Sequence, residues 1–86
     1  MPEISRFYGI IIRMYFKDHN PPHFHAEYQG RMAEYDIRTL DVIAGGISSR
    51  AHAMVLEWAS KHKEELLQNW ELAAIPDKLN KIDPLD

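Results

Sequence analysis

Cysteine is absent from this chain. That excludes disulfides, thiolate catalysis, cysteine-based zinc fingers and iron–sulfur clusters together. Long apolar runs are absent too, and the stretches present fall far short of the about 20 residues a membrane-spanning helix needs. A strong charge of one sign is also missing. Ten Lys and Arg against 13 Asp and Glu leave a net charge of −3 with His neutral, so the whole molecule is no general nucleic-acid binder. The N-terminal run MPEISRFYG has no basic stretch followed by an apolar one, so no secretory signal is expected. These absences point to a soluble, cytoplasmic protein with no membrane partner. What is present is globular: 86 residues, 45% hydrophobic and 27% charged, enough for a single domain over residues 1–86. A chain this short buries a modest core, which leaves homo-oligomerisation through a helix face or a C-terminal arm open.

The hydrophobic pattern divides the chain into a β-rich first half, a long helix and a short tail. Gly9 to Phe16 is dense in β-branched and aromatic residues with apolar side chains on both faces, and reads as a central strand. Lys17 to Pro22 is a loop, because Pro21 and Pro22 remove two backbone donors. His23 to Gln29 alternates: Phe24, Ala26 and Tyr28 point one way, His23, His25 and Glu27 the other. Gly30-Arg31 is expected to be a Gly-first hairpin turn. Met32 to Ile37 returns as a strand with Ala33, Tyr35 and Ile37 on its apolar face, and Val42-Ile43-Ala44 is a weaker fourth strand.

From Arg50 to about Ala73, the residues Ala51, Val55, Trp58, Ala59, His62, Leu66, Trp70 and Ala73 share one arc at helical spacing. Ser48 or Ser49 is the cap, and Pro76 the stop. Leu79, Ile82 and Leu85, three apart, predict a short arm docked on the domain or on a neighbour. The expected fold is therefore α+β, a small antiparallel meander of three or four strands packed on one long amphipathic helix. The face of the sheet away from the helix would be open. His62 on the apolar arc is expected to be a core histidine bonded to a backbone carbonyl or a tyrosine hydroxyl. Asn69 on the same arc is a candidate partner for backbone, and His52 is expected to be exposed.

That outer face carries the chemistry. Three of the five histidines, His19, His23 and His25, fall within seven positions. On a strand, His23, His25 and Glu27 would lie in a row about 7 Å apart. Three uses compete. A divalent transition metal is one, with His19, His23, His25 and Glu27 as ligands, since imidazole and carboxylate suit zinc, nickel, copper or iron. Metal-free acid–base catalysis on RNA is the second. Here His25 and His23 move the protons, Arg13 stabilises the phosphoryl charge, and Tyr15, Tyr28 or Phe7 stack a base; Arg6, Arg13, Lys17, Arg31 and Arg38 supply a local basic patch. The third is a structural or partner-binding surface formed by His19, Asn20, Pro21, Pro22 and Tyr15, since a polar sheet face is what solvent favours.

The runs Ile4-Ser5-Arg6-Phe7-Tyr8-Gly9, Ile12-Arg13-Met14-Tyr15-Phe16, Asp18-His19-Asn20-Pro21-Pro22-His23-Phe24-His25, Leu56-Glu57-Trp58-Ala59 and Glu64-Glu65-Leu66-Leu67-Gln68-Asn69-Trp70 resemble the uncharacterised bacterial family called domain of unknown function 4160. Asp18 to His25, with its His-Phe-His, and the Asn69-Trp70 pair are the most specific parts. The resemblance implies a short single-domain bacterial protein with a second small protein encoded beside it, a toxin–antitoxin-type arrangement. It supplies no catalytic residue. Many relatives are expected to carry a proline where Ser48-Ser49 stands. Taken together, the leading expectation is a binding or regulatory module of a small operon acting through its His-rich sheet face, with the ribonuclease and the metal-binding protein as alternatives.

Overall fold

The computed structural model describes residues 2–75 and 78–86. Five strands come first: β1 (Glu3–Phe7), β2 (Ile10–Arg13), β3 (His23–Tyr28), β4 (Arg31–Asp36) and β5 (Val42–Gly45). Two helices follow, α1 (Ser49–Lys61) and α2 (Lys63–Ala74). All neighbouring strands pair antiparallel in the order β1-β2-β3-β4-β5, an unbroken meander. The α+β class and the antiparallel meander are as expected, but the sheet has one strand more than the three or four foreseen. The addition is β1, where polar Ser5 and Arg6 interrupt the apolar signal of Ile4 and Phe7. Gly9, assigned to a strand, instead closes the β1–β2 hairpin.

That hairpin turns through Tyr8 (φ 49°) and Gly9 (φ 80°), and β3–β4 turns through Gln29 (φ 49°) and Gly30 (φ 78°). Two successive positive φ values make a type I′ turn, whose twist matches the flanking strands. The second turn therefore sits one residue earlier than Gly30-Arg31, with Gly second rather than first.

The long helix is two. His62 leaves helical geometry (φ −129°, ψ 22°), and its N–H bonds Ala59 O in a tight three-residue step before α2 resumes. Ser48 caps α1, its Oγ accepting from Ala51 N at 3.2 Å. His62 Nδ1 meets Glu65 Oε1 at 2.6 Å, so it is a junction residue rather than the core histidine expected. The helix stop assigned to Pro76 lies outside the described residues; α2 ends at Ala74, and Ile75 is already extended.

Phe24, Tyr35 and Trp58 form the centre of the core. Phe24 stacks on Tyr35 at 5.2 Å, Trp58 meets Phe24 edge-on at 5.9 Å, and Phe7 joins at 5.4 Å. Most of the apolar faces assigned to β3, β4 and the helix are buried, with Ala26, Ala33, Ile37, Ala51, Val55 and Ala59 all sealed, but Tyr28 and Trp70 are only half-buried, and Trp70 packs on His23 rather than in the core. His52 is half-buried rather than exposed, its Nδ1 on the Tyr35 hydroxyl at 2.7 Å, and burial pushes that phenol up to about 12. The tail docks on its own chain. Ile82 N donates to Ile4 O at 2.8 Å, Trp58 Nε1 to Asp83 O at 2.8 Å, and buried Asn69 takes both backbone groups of Asn80 at 2.9 Å. Asn69 thus has the backbone role expected of it.

Gly45 shows where glycine is obligatory. Its φ is +67°, and a Cβ there would stand 2.2 Å from Met32 O. Gly30 has a similar φ of +78° but open space around it. Gly45→Ala should therefore cost more than about 2 kcal/mol, and Gly30→Ala about 1 kcal/mol from backbone strain alone. Thermal melts should show a drop of about 8–16 °C for the first and about half that for the second; equal drops would contradict this reading of Gly45.

Candidate metal-ligating site

His23 and His25 point away from Phe24 and Ala26, as period-two alternation dictates, but the face they occupy is not open. His23 is 1% exposed and His25 7%. The physical reason is cover from both sides of the sequence. Tyr15 lies edge-on to the His25 ring at 4.3 Å, and Trp70 of α2 lies 5.2 Å from the His23 ring. Met32 Sδ sits 3.1 Å from His25 Nδ1. The break at His62 starts the second helix, on which Trp70 is carried.

The loop from Lys17 to Pro22 is pinned at both ends. Lys17 N donates to Ala73 O, and Pro22 O accepts from Ile37 N, each at 2.9 Å. Between these pins Asp18 folds back over the histidines. Its Oδ1 accepts the His19 backbone N–H at 2.9 Å, which leaves Oδ2 facing His23 Nε2 at 3.0 Å and His25 Nε2 at 3.5 Å. Asp18, His23 and His25 each offer a ligand atom, all within 4.8 Å of one another. Asp18 is the functional residue that sequence reasoning missed. Only its place in the Asp18-to-His25 run, where a carboxylate precedes two alternating imidazoles, could have signalled it.

The second nitrogen of each ring fixes what the first can do. His23 Nδ1 lies 2.7 Å from Pro21 O, and a carbonyl only accepts, so Nδ1 carries the proton. His25 Nδ1 lies 3.1 Å from the Met32 thioether, an acceptor too weak to fix which nitrogen of this ring carries the proton. In its neutral form the His23 ring then turns the Nε2 lone pair toward the carboxylate oxygen that His25 Nε2 also faces. His25 Nε2 is buried and has no hydrogen-bond partner among the described residues. Burial, the largest effect on His25, holds it below the usual imidazole value of 6.5. Asp18 is also held low: burial opposes ionisation, but the His19 amide and the neighbouring imidazoles outweigh it.

The other residues singled out from sequence fall elsewhere. His19 turns its side chain outward, 81% exposed, with Nδ1 on Asp18 Oδ1 at 2.9 Å and its ring 5.4 Å from that of His23. Glu27 is engaged by Arg13, whose Nε donates to Glu27 Oε2 at 2.9 Å. Neither His19 nor Glu27 belongs to the convergent set, so the ligand group has Asp18 in their place. The Arg13 contact also offsets the charge that a phosphoryl group would need, and Arg6 is likewise paired with Glu3 at 2.7 Å. Phe7 is buried against Trp58 and is not free to stack a base. Pro21 and Pro22 serve through their carbonyls, and Asn20 is exposed beside a cleft that Asp18 and Trp70 also line.

A family sequence model described as domain of unknown function (DUF4160) matches residues 9–71. The chain belongs to this family. The matched stretch holds all three convergent side chains and Trp70, so the site lies within the family domain rather than on the tail. Searches of curated proteins and of solved structures find no significant match. No described helix is long and apolar enough to cross a membrane.

The shifts of His25 and Asp18 have one sign. Each folded value lies below its unfolded one, so each contributes stability that is full above the unfolded value and lost as pH falls. Melting temperature should fall as pH drops from about 6.5, where the unfolded chain takes up a proton on His25 that the folded chain resists, and again below about 3.8 as Asp18 protonates. Calorimetry from pH 8 to 3 on wild type and His25→Gln checks this. The variant should lose the part of the upper step due to His25, and an identical profile would contradict the assignment.

Proposed function

We propose that this chain is a transition-metal-binding protein whose functional centre is Asp18, His23 and His25. The observation that carries the reading is the buried His25 Nε2, which faces Asp18 Oδ2 without a hydrogen-bond partner. A proton on His23 would satisfy its own contact with Asp18 and leave His25 Nε2, 3.5 Å from the same oxygen, still without a partner among the described residues. One cation held by all three groups satisfies every contact.

The spacing supports this. At metal–ligand bonds of about 2.1 Å, neighbouring ligand atoms stand about 3.0–3.4 Å apart in octahedral or tetrahedral arrangements. The two distances from Asp18 Oδ2 to the imidazoles are 3.0 and 3.5 Å. The contact of His23 Nδ1 with Pro21 O provides the ring orientation that metal-ligating histidines commonly show, and Met32 Sδ packs on Nδ1 of His25. Two imidazoles and one carboxylate favour zinc, iron(II), cobalt or nickel over calcium and magnesium, which take oxygen. This reading takes up the metal-binding alternative raised from sequence, with Asp18 in place of His19 and Glu27, as a two-histidine, one-carboxylate site under Trp70.

Titration of the chelator-treated protein with Zn²⁺, Co²⁺, Ni²⁺ and Fe²⁺ tests it. At a hundredfold excess over the dissociation constant, one equivalent of bound metal should add about 2.7 kcal/mol. That corresponds to a rise in Tm of about 10–20 °C. Asp18→Asn, close in shape, should abolish most of the rise, while His19→Ala and Glu27→Gln should keep it. Melting curves indifferent to all four ions would end the proposal.

A further inference from the structure

Resting on that metal-binding reading, we infer that Glu34 of β4 is the fourth ligand, closing on the ion from the neighbouring strand to give two imidazoles and two carboxylates. Strand register places it there. Glu34 stands directly opposite His25 in the β3–β4 pair, so it shares the outer face with both histidines. Its side chain leans along the sheet, with Oε1 3.5 Å from His23 Nε2. Its charge also acts on His25, whose cationic form it favours.

The other carboxylates of that face are engaged elsewhere. Glu27 accepts from Arg13 Nε at 2.9 Å, and Asp36 accepts the backbone amides of Arg38 and Thr39. The Glu34 carboxylate makes no hydrogen bond among the described residues, and its ion-pair contact is the one with His23. The buried His25 Nε2, also without a hydrogen-bond partner, is the independent sign that a cation belongs between these groups.

Glu34 stands outside the set of three whose ligand atoms all lie within 4.8 Å of one another. Electrostatics accounts for the gap. Asp18 Oδ2 and Glu34 Oε1 approach the same nitrogen, at 3.0 and 3.5 Å, and two carboxylates so placed repel. A cation between them reverses the sign. The Glu34 side chain is 28% exposed, so it can swing inward without disturbing the core. The charge balance favours that movement. One carboxylate and two neutral imidazoles leave a divalent ion with one positive charge, and a buried charge left unpaired is costly. The second carboxylate neutralises it, and four protein ligands are the number that closed zinc sites use.

The test uses the full, chelator-treated chain. Zn²⁺ affinity is read by competition with a chromophoric chelator, and Co²⁺ coordination by visible absorption. Loss of an outer partner already costs a metal site about 10–100-fold, so Glu34→Gln should weaken Zn²⁺ at least about tenfold. It should also shift the Co²⁺ bands, because a carboxylate has left the ion. Glu27→Gln, on the same face, should leave both readouts as in wild type. Glu34 is partly exposed and holds no hydrogen bond, so Glu34→Gln should melt as wild type does without metal. Two results overturn the inference while Asp18→Asn still loses the metal. One is Zn²⁺ affinity of Glu34→Gln within about threefold of wild type. The other is weakened binding with an unchanged Co²⁺ spectrum, which makes Glu34 a nearby charge and not a ligand. Failure of the wild-type chain to bind either ion overturns both readings.

Discussion

The site depends on a single hydrogen bond, from His23 Nδ1 to the carbonyl of Pro21 at 2.7 Å. It spans two residues and sets the ring at the mouth of β3, with Nε2 turned to Asp18. It works because the carbonyl is itself held. Pro21 and Pro22 restrict the loop, and Pro22 O is tied to Ile37 N at the end of β4. The loop's other end is tied to Ala73 O on α2. The imidazole is thereby locked to sheet, loop and helix together. His25, two residues on, inherits the same side of the strand and reaches the same carboxylate from within the sheet.

The side of the sheet on which these rings lie was legible in the chain, since strand geometry alone sends residues 23 and 25 opposite to Phe24. Their burial was not. It depends on Trp70 and on the fold-back of Asp18, both set by tertiary packing rather than by local pattern. The choice of His19 and Glu27 as ligands failed for a related reason. Period-two spacing puts Glu27 on the right face but about 7 Å from His25, where Arg13, which pairs with His25 on β2, reaches it diagonally. His19 lies in a loop, where alternation carries no information about direction. The split at His62 was equally hidden, because neither Gly nor Pro marks it and the apolar arc runs through it unbroken. The first strand escaped because Ser5-Arg6 broke the apolar signal that Ile4 and Phe7 carry.

The break in the helix has a consequence for the site. Trp58, before it, is fully buried against Phe24 on the inner face of β3. Trp70, after it, covers His23 on the outer face of the same strand. The two indoles thus grip one strand from both sides, which one straight helix lying on the inner face would not provide. Asn69, beside Trp70 in sequence, faces the other way and holds the tail through Asn80. The pair Asn69-Trp70 is where tail, helix and histidine site are joined.

Charge pairing over the rest of the molecule sharpens the contrast at the cluster. Glu3 is matched by Arg6, Glu27 by Arg13 and Glu57 by Lys61. Asp36 is satisfied by the backbone amides of Arg38 and Thr39. Among the described residues Asp18 Oδ2 has imidazole nitrogens against it at 3.0 and 3.5 Å, and the His23 ring has already committed its Nδ1 proton to Pro21 O. A carboxylate left against an imidazole lone pair under an indole is unfavourable by itself, because the low dielectric that strengthens a satisfied contact equally strengthens this repulsion. Polar packing of this kind is stabilised by a positive charge between the three atoms. On the metal-binding reading proposed above, one ion would meet both imidazole nitrogens and the carboxylate oxygen together, and the buried His25 nitrogen is the atom that would gain most from it.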